Sequence, residues 1–204
     1  PMEADGNYGV GVAWNGLTAV KQSPDGAEES PIYANNHKYI SMTSAENFKG
    51  TIEAYTYPDE FMACDGSKEL SAGVYAGQQA RKSFGLTYAT NIGNDTEGDD
   101  FGEKIHIIYQ AKVTPSSRDY ETINDDPNAI TFSWEFSTVP ESISADLESK
   151  GIKPTAYICV DTTKVSEAGV TALKEALYGG SGEPKLPSID EILELVGSEA
   201  YSEA

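Results

Sequence analysis

The sequence predicts a mainly β domain of two packed antiparallel sheets, sandwich- or barrel-like, flanked by one α-helix. The first observation is residues 130–138, where four large apolar side chains alternate with polar ones in the order I-T-F-S-W-E-F-S-T. A period of two is typical of a strand with one buried face. Residues 105–113 repeat the alternation, which predicts one shared face for Ile105, Ile107, Tyr109, Ala111 and Val113. In residues 165–178 the apolar spacing becomes helical, which predicts the flanking helix.

The N-terminal half is predicted to add strands and two long connections. Residues 33–42 and 50–57 are rich in Tyr, Ile and Thr and are predicted to be strands, and Pro58 ends the second because proline cannot donate to a ladder. Residues 22–31 (Q-S-P-D-G-A-E-E-S-P) have no apolar anchor, so we expect a loop that projects from the domain. Residues 58–76 hold several turn signals and are expected to be a long irregular connection.

The C-terminal half is predicted to complete the sheets and then to become helical. Residues 81–90 and 155–160 are predicted strands. Ser166 is a suitable N-cap for the helix, and Gly179 is a suitable stop. A capping box at residues 188–191 (S-I-D-E) predicts a short second helix. We therefore expect residues 1–178 to form the β domain with its helix, and residues 179–204 to form a flexible linker with a short helical tail.

Charge and composition narrow the classes of function. The chain has 33 acidic and 14 basic residues and a formal net charge of −19, which argues against electrostatic binding to a nucleic-acid backbone. Neither a transmembrane helix nor a secretory signal is expected, because there is no long apolar run and no charged leader before an apolar one. The two cysteines, Cys64 and Cys159, are expected to be free thiols.

No residue pattern indicates catalysis, a cofactor or a metal. His37 and His106 are the only histidines, and neither has a ligand or a nucleophile at an informative spacing. Acidic residues at 95–100 and at 125–126 do not fit a calcium-binding loop and are expected to be solvated turns. We expect a protein that is not an enzyme and has no cofactor. A β-sandwich module that binds carbohydrate or another ligand through Tyr33, Tyr39, Tyr55 and Tyr57 remains an alternative.

Several segments carry a specific resemblance. In order they are G-V-A-W-N-G-L-T-A-V (11–20), S-P-D-G-A-E (23–28), Y-A-N-N-H-K-Y (33–39), E-A-Y-T-Y-P-D-E-F (53–61), C-D-G (64–66), G-Q-Q-A-R-K-S-F-G-L-T-Y (77–88), G-N-D (93–95) and S-W-E-F-S-T (133–138). Together they resemble the major tail tube proteins of long-tailed bacteriophages with non-contractile tails. The family pattern is closer to Y-A-D-N at residues 33–36, and it usually has a segment before Pro1, so a trimmed chain is expected.

The resemblance implies six copies per ring and rings stacked into a hollow tube through which the genome passes. The implied location is the virion tail, with the host cytoplasm during assembly and no membrane. The implied partners are further copies of the chain, the tape measure protein, the tail tip or baseplate, and the tail terminator. DNA is expected to pass without specific binding, which agrees with a strongly acidic chain.

Two sets of residues are candidates for these roles. A polar strand face must line the lumen, and the best candidate is the second face of residues 130–138, because it is the only long strand with a wholly hydrophilic face. Its members are Thr131, Ser133, Glu135 and Ser137, and the rival is Glu53 on the preceding strand. Candidates for subunit contacts are Trp14, Ser23, Pro24, Asp25, Tyr57, Pro58, Gln78, Gln79 and Arg81.

Overall fold

The computed structural model describes residues 1–96, 98–118, 120, 122, 129–180 and 182–197. Within them the chain is mainly β, with antiparallel sheets, as predicted. The strands are β1 (Leu17–Gln22), β2 (Glu29–Ala34), β3 (His37–Thr43), β4 (Lys49–Ala54), β5 (Lys68–Ser71), β6 (Val74–Ala76), β7 (Phe84–Asn94), β8 (Gly98–Val113), β9 (Phe132–Ser137) and β10 (Tyr157–Asp161). The helices are α1 (Met62–Asp65), α2 (Ala145–Ser149), α3 (Glu167–Tyr178) and α4 (Ile189–Val196).

Strand β8 belongs to two sheets and joins them. The first sheet has the order β1-β4-β9 with the C-terminal end of β8, and the second sheet places β8 between β7 and β10. Between the two parts, Gln110 adopts a left-handed backbone with φ 46°, and the register with β7 shifts there. Such a bulge reverses the side-chain alternation. The prediction of one shared face for residues 105–113 is therefore wrong: Ile105, Ile107 and Tyr109 point away from the face that holds Ala111 and Val113.

The main core lies between the two sheets and is centred on the predicted aromatic strand. Trp134 and Phe136 from β9 pack there with Ile52 from β4, Phe84 from β7 and Ile108 from β8. Trp134 is fully buried, and its indole Nε1–H donates to Asp65 Oδ1 at 2.9 Å. The strand itself is shorter than predicted, because Ile130 precedes β9 and is exposed. Burial of large apolar side chains here, at about 1.5–3 kcal/mol each, makes β9 the centre of the fold.

A second core lies on the opposite face of the second sheet, under helices α3 and α4. Ile105, Ile107 and Tyr109 contact apolar residues of both helices there. The two helices approach closely at Gly169, where an added Cβ would lie 2.8 Å from the Val196 carbonyl oxygen. Ser166 caps α3, and the predicted capping box at the start of α4 is present.

The C-terminal helix is part of the domain, contrary to the expected division at residue 178. Ile189, Ile192 and Val196 of α4 are buried in the second core. The segment before the helix is also fixed, because Pro187 is fully buried and its carbonyl accepts a hydrogen bond of 2.9 Å from the Tyr109 hydroxyl. Residues 182–197 thus complete the helical layer, and the rest of the predicted tail, 198–204, lies outside the described residues.

Three predicted segments have a different local structure. Residues 33–42 are not one strand, because Asn35 and Asn36 both have positive φ and turn the chain into the β2-β3 hairpin. The projecting feature is this hairpin, and only residues 23–28 of the predicted loop lie between strands. Residues 58–76 are not irregular, since they hold a 3-10 turn, α1 and the β5-β6 hairpin. Asparagine tolerates the left-handed region better than other non-glycine residues, which explains the tight turn at 35–36.

Candidate assembly surfaces

The outer face of the first sheet brings most lumen candidates together. Glu53 on β4 is paired with Ser133 on β9, and Glu135 on β9 is paired with Thr51 on β4. Directly opposite residues of an antiparallel pair project from the same face, so these side chains lie together, opposite to the buried Trp134. Ser137 lies at the end of the same face, paired with Lys49 and Lys112. Thr131 is exposed but lies just before β9.

This polar face carries charges of both signs. Lys21 Nζ lies 2.5 Å from Glu53 Oε1, and Lys49 Nζ lies 2.6 Å from Asp25 Oδ2 at the edge of the sheet. Lys112 and Glu135 are exposed and have no ion pair within the described part of the chain. The face is therefore hydrated and charge-balanced, rather than a continuous acidic surface.

Within the described residues, the first sheet has an open backbone edge at β1 and a partly open one at β9. Strand β1 pairs only with β4, and its outer side has no strand beside it among the described residues. On the other side, β9 shares the pairs Lys112–Ser137 and Val113–Phe136 with β8, and the Thr114 amide donates to the Glu135 carbonyl at 2.9 Å, so only the N-terminal part of β9 lacks a described neighbour. Unpaired edge groups are able to accept a strand from another chain. The sheet is thus able to continue at both edges.

The β2-β3 hairpin, residues 29–43, forms an arm whose strands pair only with each other. Cross-strand pairs put Ile32 opposite Ile40 and Met42 opposite Ser30, so one face of the arm is apolar. These three apolar side chains are 47%, 49% and 58% exposed. On the other face Glu29 bonds to Lys38 and Ser41. A lone two-stranded hairpin is marginally stable in water, so the apolar face requires a partner.

A second exposed apolar feature is the tip of the β5-β6 hairpin, where Leu70, Val74 and Tyr75 are each more than half exposed. The arm precedes β4 at Lys49, whereas α1 and the β5-β6 hairpin follow β4 at Ala54. A strand of six residues is about 20 Å long. The two apolar features therefore leave opposite ends of β4.

The predicted contact residues fall into three places. Trp14 and Tyr57 pack against the main core, with Trp14 4.5 Å from Phe61 and Tyr57 5.4 Å from Trp134 between ring centroids. The Trp14 indole also donates to the Thr56 carbonyl at 2.8 Å, so both rings support the fold. The others lie at the two ends of β4: Ser23, Pro24 and Asp25 beside the arm, and Pro58, Gln78, Gln79 and Arg81 around α1.

The apolar residues of the arm and of the β5-β6 tip were missed by sequence reasoning. The two hairpins were indicated in the sequence by the turn dipeptides Asn35-Asn36 and Ala72-Gly73, each of which lies between two short segments with β propensity. Had these turns been recognised, alternation within each run would have placed Ile32, Ile40 and Met42 on one face.

The polar cluster around His106 has a structural explanation. The His106 ring lies between Tyr88 and Tyr157, at centroid distances of 4.6 and 6.0 Å. Its Nδ1 is 2.7 Å from the Tyr157 hydroxyl and its Nε2 is 2.9 Å from Thr90 Oγ1. Burial, with a smaller effect of Lys104, lowers the pKa of His106. Both ring nitrogens are thus occupied by neighbours within the fold.

The described residues offer no metal site, no disulfide and no membrane-spanning helix. They contain no cluster of three or more His, Cys, Asp or Glu side chains able to hold a metal ion. Cys64 and Cys159 are free, and burial raises the pKa of Cys64 to about 11, which keeps that thiol protonated. None of the helices in the described ranges has the length and apolarity needed to cross a bilayer.

The tyrosines proposed for ligand binding do not form one platform. Tyr33 and Tyr39 are exposed on the arm, whereas Tyr55 follows β4 at its opposite end. Tyr57 is half-buried against Trp134 and Phe132. Aromatic residues that bind one sugar must stand side by side, so this separation gives the carbohydrate-binding alternative no support.

Comparison with family models and with curated proteins gives no match. No protein-family model fits the chain, and no curated protein matches it significantly.

Proposed function

We propose that this chain is a structural virion protein that assembles with copies of itself into stacked rings. The rings form the hollow tail tube of a long-tailed phage. The observation that carries the proposal is the arm, whose apolar face is exposed and whose strands pair with no other strand among the described residues. An exposed apolar surface of this kind marks an interaction site.

The arm favours contact with another copy of the chain. Complete burial of an aliphatic side chain is worth about 1.5–3 kcal/mol, so covering the roughly half-exposed Ile32, Ile40 and Met42 would contribute about 2–4 kcal/mol per copy. The second apolar feature, at the β5-β6 tip, leaves the opposite end of β4. A contact between two different surfaces is heterologous and builds rings or open filaments rather than closed dimers.

The open sheet edges favour a ring within each layer. Pairing of β1 in one copy with the free part of β9 in the next would satisfy both edges, and closure of the ring would leave no edge of the first sheet exposed. The resemblance implies six copies per ring. Neighbouring rings would then be joined through the arms.

In such a ring the polar face of the first sheet lines the lumen, because the other face is already filled by the core around Trp134. Glu53 is neutralised by Lys21, and the chain as a whole is strongly acidic. Lys21 and Lys49 of this face are already paired with carboxylates, which leaves Lys112 as its one unpaired lysine among the described residues. One such cation is not a strong phosphate site, so DNA passes without specific binding. The tape measure protein would occupy this lumen before DNA, and the tail tip or baseplate and the tail terminator would cap the two ends.

The experiment is sedimentation velocity of the purified chain over a wide concentration range. We expect the wild type to form large assemblies, and the double variant Ile32→Lys/Ile40→Lys to remain monomeric with unchanged thermal unfolding. Thr43→Lys is the control, because Thr43 is exposed on the opposite face of the same arm; it should assemble normally. A wild type that stays monomeric throughout, or a double variant that assembles like the wild type, would overturn the proposal.

A further inference from the structure

Arg81 has no ion pair among the described residues, although carboxylates outnumber cations in the chain. The chain has 33 acidic and 14 basic residues. Its other arginine, Arg118, pairs with Asp65 and stands over the rings of Tyr57 and Phe132. Arg81 forms no ion pair with any described residue, and its buried Nε has no hydrogen-bond partner in that part of the chain. A buried donor without a partner is costly, so its presence calls for an explanation.

The backbone around α1 holds the Arg81 guanidinium in place. Gly66, which ends α1, has φ +82°, and a Cβ added there would lie 3.0 Å from Arg81 Cζ and 3.2 Å from its Cγ. The side chain therefore packs over a bare stretch of backbone that only glycine provides. The segment is closed by a 3.0 Å hydrogen bond from the Gln79 amide to the Gly66 carbonyl. A guanidinium fixed in this way, with donors to spare, is suited to a carboxylate.

We infer that Arg81 binds a carboxylate at the base of the arm of a neighbouring copy, Glu28 or Glu46. This inference rests on the proposed function and specifies the contact between successive rings. The arm base consists of residues 23–28 and 44–48, held together by hydrogen bonds between Asp25 and Asn47. Both glutamates are exposed on it and form no ion pair with a described residue.

Charge and apolar surface are complementary between the two ends of β4. At the arm end, Asp25 and Glu29 are already paired with Lys49 and Lys38, which leaves Glu28 and Glu46 available. At the other end, Lys68 is unpaired among the described residues and lies with Arg81 at the base of the apolar β5-β6 tip.

The acids on and just before α1 do not satisfy Arg81 within one copy, since Asp65 is paired with Arg118. Asp59 and Glu60 precede α1 on the 3-10 turn, but neither forms an ion pair with Arg81. Head-to-tail stacking brings the apolar face of one arm onto the apolar tip of the next copy and supplies the missing carboxylate.

Charge reversal tests this contact by its effect on the concentration needed for assembly. Arg81→Glu should raise that concentration by at least about tenfold, the effect expected for loss of one charge-assisted hydrogen bond. Arg81→Gln should raise the concentration needed for assembly by a smaller factor, because it removes the charge without reversing it. Lys153→Glu is the control for charge reversal, because Lys153 is exposed and, like Arg81, has no ion pair in the described ranges, and it should assemble like the wild type.

Reversal of the partner completes the test without risk to the Arg81 packing. Glu28→Lys or Glu46→Lys alone should impair assembly, and the same substitution combined with Arg81→Glu should restore it. Provided that the wild type forms tubes, two results would overturn the inference. One is normal assembly of Arg81→Glu, and the other is failure of both double variants to restore assembly. If neither the wild type nor Lys153→Glu assembles, the proposed function fails as well.

Discussion

Replacement of Asp65 by alanine is expected to be among the most destabilising single changes in this domain. The Asp65 side chain is only 7% exposed, accepts a hydrogen bond of 2.9 Å from the Trp134 indole and pairs with Arg118. Alanine would leave the buried indole N–H without an acceptor and would remove the carboxylate that pairs with the largely buried Arg118 guanidinium. Breaking a buried ion pair from one side costs about 3–5 kcal/mol, a large part of a typical stability of about 5–15 kcal/mol.

Urea unfolding of the monomer, followed by tryptophan fluorescence, measures this cost. Asp65→Asn should lose less, about 1–3 kcal/mol, because the amide oxygen is still able to accept from Trp134. Asp146→Ala is the control: its pair with Lys150 is on the surface at 2.6 Å, and its loss should cost less than about 0.5 kcal/mol. Equal losses for Asp65→Ala and Asp146→Ala would refute the view that this network holds β9 in the core.

Three further predictions concern the arm, the cluster at His106 and the polar sheet face. Amides of residues 29–43 should exchange rapidly in the monomer and slowly in the assembly; equal protection in both states would contradict an arm that is covered on assembly. Burial lowers the pKa of His106 in the folded chain. As pH falls below about 6.5, His106 is therefore protonated in the unfolded chain before it is protonated in the folded chain, and the free energy of unfolding decreases in that range. His106→Gln should therefore flatten the stability profile between pH 7 and 5, and an unchanged slope would show that this side chain does not contribute. Glu135→Lys, alone and with Glu53→Lys, should leave tube length normal but slow DNA delivery, whereas normal delivery would reject a lumen role for both residues and loss of tubes would place them at subunit contacts.

Sequence alternation was sufficient to predict the fold class and the centre of the main core. Trp134 and Phe136 are buried as expected, because a strand with large apolar residues at a period of two has one stable orientation. The capped helices were also predictable, since their signals are local. The bulge at Gln110 was not, because a single residue with φ 46° leaves no mark in the apolar pattern of residues 105–113.

The candidate surfaces were harder to predict than the core. The apolar face formed by Ile32, Ile40 and Met42 depends on a turn at Asn35-Asn36, and a one-residue change in register would move each side chain to the other face. Trp14 was predicted to be at a subunit contact but packs against the core. Its ring centroid lies 5.7 Å from that of Trp134, a long-range contact that the local sequence does not indicate. Arg81 was chosen from its segment alone, and only the fold shows that it has no carboxylate beside it among the described residues.

Electron microscopy of the concentrated wild-type protein tests self-assembly into a conduit most directly. The arm, the open edges of the first sheet and its polar outer face together predict hollow tubes of stacked rings with a continuous central channel. Dispersed monomers at every concentration, or aggregates without a channel, would contradict that assignment.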